Sequence, residues 1–141
     1  MAKKVGPIST LLAQVKSVDE GAGTCILDED GLELFDVRLK PVLSEDKAVI
    51  MLPAVGSWVL AARIEDDEEW IVIVAEKIDK FSITIGETVF VMSEAGFEIK
   101  KGADSLKEIL SSLVSEVIGI MAAKNVAALK GIDIKIKNLF D

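Results

Sequence analysis

Hydrophobic and polar positions alternate along most of the first hundred residues, and only afterwards does the period lengthen to that of a helix. The stretch 11–19, LLAQVKSVD, fits a strand or a helix; it reads as a strand because Glu20-Gly21-Ala22-Gly23 then turns the chain into Thr24–Asp28. DEDG follows. Its Asp30-Gly31 pair is a strong hairpin signal, because both central residues of a type I′ turn need positive φ. Leu32–Leu39 continues with Phe35, Val37 and Leu39 on one face, so these three segments predict a β-meander.

Lys40–Pro53 reads as irregular, interrupted by Pro41, Pro53 and LSEDK. Alternation resumes over Val55–Ile64, with Trp58, Leu60, Ala62 and Ile64 on one face and Val55, Val59 and Ala61 on the other. After the acidic turn EDDEE, the segment WIVIVAEKI is apolar on both sides: Trp70, Val72 and Val74 on one, Ile71, Ile73 and Ala75 on the other. Five strands of this spacing predict a small antiparallel barrel of the oligonucleotide/oligosaccharide-binding (OB) type. If Trp70, Val72 and Val74 fill it, Ile71 and Ile73 need cover, from a neighbouring subunit or from the 40–53 segment.

Three short units follow, Ile83/Ile85, Val89/Val91 and Phe97/Ile99, separated by Gly86-Glu87 and Glu94-Ala95-Gly96. So thin a meander has little core of its own, and must lie on the barrel or on copies of itself. Ser105 and Glu108 then form an S-x-x-E capping box. Leu106, Leu110, Leu113, Val117 and Ile120 recur at heptad spacing, widened by Ile109, Val114, Ile118 and Met121. Leaving that face in water would forfeit on the order of 10 kcal/mol. The helix therefore packs on something: as a cap on the barrel or, the sharper expectation, on copies of itself, in a dimer or a trimer. Beyond it a short helical piece and a strand of Ile132, Ile134 and Ile136 are expected. The expected architecture is mainly β: an OB-like barrel over 1–79, a short-strand meander over 80–101, and an amphipathic helix plus terminal strand over 102–141.

Composition narrows the function classes. With 24 acidic against 16 basic residues the net charge is −8, which disfavours broad binding of nucleic-acid phosphates. The chain has no histidine, the commonest general base and metal ligand, and its single Cys25 cannot form an internal disulfide. Ser9, Ser57 and Ser105 thus have no histidine to activate them. No catalytic, cofactor or metal site is expected. Glu65–Glu69 and Asp28–Gly31 read as charged turns rather than cation sites, because the second lacks the further oxygen ligands of a calcium loop. Lys3, Lys4, Lys100 and Lys101 read as solvated charge, and Trp58 and Trp70 as core rather than base-stacking platforms. No run of about 18 apolar residues exists and none follows the first lysines, so neither membrane insertion nor export by a signal peptide is expected.

The order of parts resembles phage baseplate spike and hub proteins, grouped with the baseplate assembly proteins of contractile tails and the valine-glycine repeat proteins of type VI secretion. PAVGSWVLAARI (Pro53–Ile64) is similar to that group's Pro-x-x-Gly-x-x-Val-Leu-Val strand start, and EIKKGADSLKEIL (Glu98–Leu110) to its Gly-x-x-Ser-Leu segment. The likeness covers roughly residues 10–115. It implies an OB-type barrel followed by strands wound about a threefold axis, in a homotrimer made in the bacterial cytoplasm and built into the virion tail. Its partners would be tail tube and baseplate proteins and a separate tip protein. Leu106, Leu110, Leu113, Val117 and Ile120, with Ile71 and Ile73, are the expected interchain contacts. The departures are the absence of a long β-helix, of a His-x-His iron site and of a lysozyme-like insertion, which favour a compact hub or spike base. The alternative class is a monomeric OB module binding single-stranded nucleic acid or an oligosaccharide.

Overall fold

The computed structural model describes residues 9–43, 49–64, 68–120 and 123–140. The chain is mainly β and divides into two compact units, Met1–Asp46 with Ile50–Asp79, and Lys47–Val49 with Lys80–Asp141.

The first unit is a closed barrel. Its strands are β1 (Thr10–Asp19), β2 (Thr24–Glu29), β3 (Leu32–Arg38), β5 (Trp58–Arg63) and β6 (Trp70–Ala75), in the order β1-β2-β3-β6-β5 and back to β1. Neighbours are antiparallel except β3 and β6, which meet in parallel. This is the OB arrangement, in which the first strand pairs with both its successor and the fourth barrel strand. Alternation explains the core: Leu11, Ala13 and Val15 of β1 point inward with Cys25 and Leu27 of β2, Val37 of β3, Val59 and Ala61 of β5, and Val72 of β6. The β2–β3 turn has Asp30 at φ 50° and Gly31 at φ 90°, as the hairpin motif requires, and Asp28 Oδ1 accepts from the Gly31 amide at 2.8 Å.

Three bulges decide which side chains face the core. Between Val15 and Ser17 the register of β1 slips by one against β2, so Val18 rather than Ser17 turns toward the core. On β3, Cys25 faces Val37 while Leu27 faces Leu34, which leaves two residues, Phe35 and Asp36, opposite Ile26. Asp36 adopts φ 54°, and Phe35 swings out to 62% exposure. The expected common face of Phe35, Val37 and Leu39 therefore holds only for Val37 and Leu39. On β6, Leu60 faces Val74 and Ala61 faces Val72, leaving Ile73 as the extra residue. Val72 and Ala75 turn in, and Ile73 and Val74 are both exposed. Val74 thus does not fill the barrel. Trp70 lies partly buried against the core with the Arg63 guanidinium 5.9 Å from its ring, as a core tryptophan should. Trp58, expected inside, is instead 43% exposed, because Val59 and Ala61 take the inward positions of β5.

The segment 40–53 is less irregular than its prolines suggest. It holds β4 (Val49–Pro53), where Leu52 and Pro53 are buried and Pro53 ends the strand, a place where its missing amide costs little. Residues 44–48 lie outside the described residues. Ala54 to Ser57 then form a turn closed by the Ser57 amide on the Ala54 carbonyl, with Gly56 at φ 82°. The Ser57 hydroxyl donates to the same carbonyl at 2.6 Å.

The second unit strings β7 (Ile78–Ile85), β8 (Thr88–Ser93), β9 (Gly96–Lys101) and β10 (Asp104–Ser105) into an antiparallel meander. Two-residue turns join them, each with a positive-φ glycine in or beside it: Gly86, Gly96 and Gly102. Register puts Phe81, Met92 and Phe97 in one row and Ile83, Phe90 and Ile99 in the next, on one face of the sheet. Val89 and Val91 fall on the other face. Helix α1 (Leu106–Ile120) follows, and the Glu108 amide points at the Ser105 hydroxyl at 3.5 Å, a long capping contact. Helix α2 (Ala123–Leu139) replaces the expected short helix and strand. Ile132, Ile134 and Ile136 alternate, but Val126, Leu129, Ile136 and Phe140 recur at helical spacing and are the less exposed set, and Lys137 pairs with Asp133 one turn away.

Candidate assembly surface

The second unit has almost no interior. Among its described residues only Val114 and Phe140 are buried hydrophobics, whereas the barrel core gathers eleven. Helix α1 turns Leu110, Val114, Val117 and Ile118 toward α2 and β9, and all but Val114 stay partly exposed. The expected heptad seam is therefore divided. Leu110 and Val117 belong to the inner arc and Leu106 borders it, while Leu113 and Ile120 lie outside together with Ile109. Ile120 is 87% exposed. Met121 lies outside the described residues. Sequence pattern alone does not separate Ile109, Leu113 and Ile120 as a stripe of their own. Their spacing of four and seven carries the signal, and only the arc that meets α2 and β9 reveals which side stays open.

Helix α2 repeats the pattern, with Ile132, Ile134 and Leu139 exposed. Where the two helices meet, Ser111 of α1 lies beside Asp133 of α2. Asp133 Oδ2 takes the Lys137 ammonium at 2.6 Å, while Asp133 Oδ1 and the facing Ser111 hydroxyl are buried without a hydrogen-bond partner. The Lys137 hydrogen bond lowers the Asp133 pKa, and Ser111, close by though outside hydrogen-bond geometry, adds to it. A carboxyl whose folded pKa is depressed stabilises the hairpin above its unfolded value, and that contribution is lost as pH falls through the folded pKa. Acid titration of the helical circular dichroism should therefore show a loss on the acid side that Asp133→Asn flattens.

The barrel also offers an apolar exterior. Register aligns Leu12, Leu60 and Val74 across β1, β5 and β6, with Ile73 beside Val74 and Trp58 in the adjoining row. Ile73 is exposed and Ile71 partly buried. On the β2–β3 side Phe35 and Leu32 are exposed.

Reactive chemistry is sparse. Cys25 is buried, and burial pushes its thiol up to about 12. The folded state holds this proton more tightly than the unfolded chain does. The resulting stability is complete below about pH 9 and declines as pH rises toward 12. At pH 8 the native thiol should react with Ellman's reagent on the order of 100-fold more slowly than in denaturant; equal rates would show the site open. Ser57 is consumed by backbone carbonyls and Ser105 by the helix cap. Glu69, in the acidic turn, pairs with Arg38, Lys100 pairs with Glu98, and residues 65–67 and the first lysines lie outside the described residues. Among the described residues no group of three acidic, cysteine or histidine side chains is placed to hold a metal, and no helix is long and apolar enough to cross a membrane.

Comparisons with protein-family models, curated proteins and solved structures returned no match for this chain.

Proposed function

We propose that this protein is a structural subunit of a contractile-tail baseplate, a compact hub or spike base that works as a homotrimer by mechanics rather than by chemistry. The observation behind this reading is the second unit: four short strands and two helices that bury only two hydrophobic side chains among the described residues. Exposed apolar area is worth roughly 25 cal/mol per Å² when covered, so a surface of this kind favours association. Copies of the chain are the simplest cover, and the order of barrel and short-strand meander resembles that of the spike and hub group. The barrel exteriors then serve neighbouring tube and baseplate proteins, and the axial end receives a separate tip protein, in the virion tail.

Light scattering on a size-exclusion column, at two salt concentrations, tests the reading. The expected mass is about three times 15.2 kDa at both. A monomer across the accessible concentration range overturns it.

A second reading has its own observation. The outward Phe35 stands on the β2–β3 side, where OB barrels hold oligomeric ligands, and it offers a stacking surface. Asp28, Asp30 and Asp36 belong to the same strands and turn, which suits an uncharged oligosaccharide better than a polyanion. Saturable binding of such a sugar to a monomer by calorimetry, lost in Phe35→Ala, would favour it.

A further inference from the structure

Strands β1, β5 and β6 turn two rows of uncharged side chains outward: Leu12, Leu60 and Val74 in one, Thr10, Ala62 and Ile71 in the next. The bulged Ile73 lies beside them, and Leu12, Ile73 and Val74 are all exposed. Gln14 and Trp58 open the row beyond. There the Glu76 amide donates to the Trp58 carbonyl at 2.8 Å, and the Glu76 carboxylate accepts from the Trp58 amide at 3.3 Å. This gap in charge stands on an acidic body, since the barrel unit holds 16 acidic against 7 basic residues. Such a body draws a basic partner through its acids. A copy of itself carries the same excess and comes close only where the acids are missing. Depletion of charge around an exposed aromatic is also the mark of an interface centre.

We infer that three copies meet through this sector, with Leu60 of each turned toward the threefold axis. This rests on the homotrimer reading and adds a barrel seam to it. β5 is the middle strand of the three, so an axis running along it sets the β1 flank of one copy against the β6 flank of the next. Rotation about that axis keeps each row at its own level. Leu12 then meets the Ile73–Val74 bulge of the neighbouring copy, and Thr10 comes level with its Ile71. Gln14 comes level with its Glu76, where the side-chain amide can donate to the carboxylate. One sector suffices, because a surface that points at a threefold axis touches both neighbours. Its two flanks differ, so the contact is head-to-tail and closes a ring.

Substitution on the outer wall of the full-length chain tests this. Leu60→Glu brings one carboxylate from each copy toward the axis, and should weaken association at least tenfold by concentration-dependent light scattering. Circular dichroism verifies that the fold holds. An oligomer indifferent to Leu60→Glu overturns the barrel seam and leaves self-assembly through the second unit standing. A wild-type monomer overturns self-assembly itself, and this seam with it. Cross-linking supplies a second readout that introduces no charge. The exposed Leu12 and Val74 are replaced by cysteine in separate chains and treated with a short bismaleimide, while the native Cys25 is buried and its thiol unreactive. Leu12→Cys mixed with Val74→Cys should couple between the two variants. Coupling of each variant only with itself would set the barrels antiparallel, and no coupling within an intact oligomer would leave the sector uncovered. Either result overturns the proposal.

Discussion

Truncating Leu27 to alanine should cost the barrel about 2–5 kcal/mol, which lowers the melting midpoint by roughly 5–15 °C. Leu27 is fully buried among Val15, Val37, Val59 and Ala61, drawn from three other strands, so no single neighbour can relax into the gap. Its informative partner is Phe35→Ser. A reading by alternation alone gives Phe35 the same inward face as Val37, and its removal would then cost about 3–5 kcal/mol. The bulge at Phe35 and Asp36 puts that ring in solvent, and the expected change falls within about 0.5 kcal/mol. Thermal or urea unfolding of the two variants checks both. A large loss in Phe35→Ser would mean that the β2–β3 register has no bulge.

The second large effect concerns assembly. Under the proposed self-assembly, replacing Leu113 and Ile120 together by aspartate should release the copies as monomers of 15.2 kDa. Two apolar anchors lost from such an interface weaken binding by about 2 kcal/mol or more each, roughly a thousandfold together. Both side chains are exposed in the single chain, so its far-ultraviolet spectrum and the unfolding of the barrel should change little. A variant that melts instead of dissociating would show that these residues serve the interior of the second unit. Light scattering and circular dichroism on the same sample separate the outcomes.

Where alternation is regular and a turn has its own chemistry, the fold is legible from the chain. Leu11, Ala13 and Val15 opposite Leu12 and Gln14 define β1, and Asp30-Gly31 defines the turn that pairs β2 with β3. Bulges are not legible, since nothing local marks Asp36 for positive φ or Ile73 as an extra residue, and each reverses the facing of the residues beyond it. β4 is hidden because Pro41 and Pro53 bracket it, and a proline closing a strand looks like one breaking it. The strand expected at Ile132, Ile134 and Ile136 fails for a different reason: Ile136 alone of the three joins Val126, Leu129 and Phe140 in a helical period, and Ile132 and Ile134 fall on the exposed side. Of the candidate contacts, the sequence marks a wide apolar face on α1. Dividing it into Leu110, Val114 and Val117 within and Ile109, Leu113 and Ile120 without requires knowing what α1 leans on.

The barrel is joined unevenly around its circumference. Four of its seams are antiparallel ladders of at least five residue pairs, but among the described residues β3 and β6 share one registered pair, Arg38 opposite Ile71. The Arg38 guanidinium reinforces that place, binding the Glu69 carboxylate and, at 3.0 Å, the Pro41 carbonyl. The ring is thus fastened there by a single backbone pair and a clasp of side chains around it. Its first opening under tension or heat belongs there, as a slit between two strands that stay folded on their other edges. Because the clasp is a partly solvated ion pair, ionic strength loosens it before touching the ladders. Salt is therefore the natural means of uncoupling this one seam from the rest of the wall.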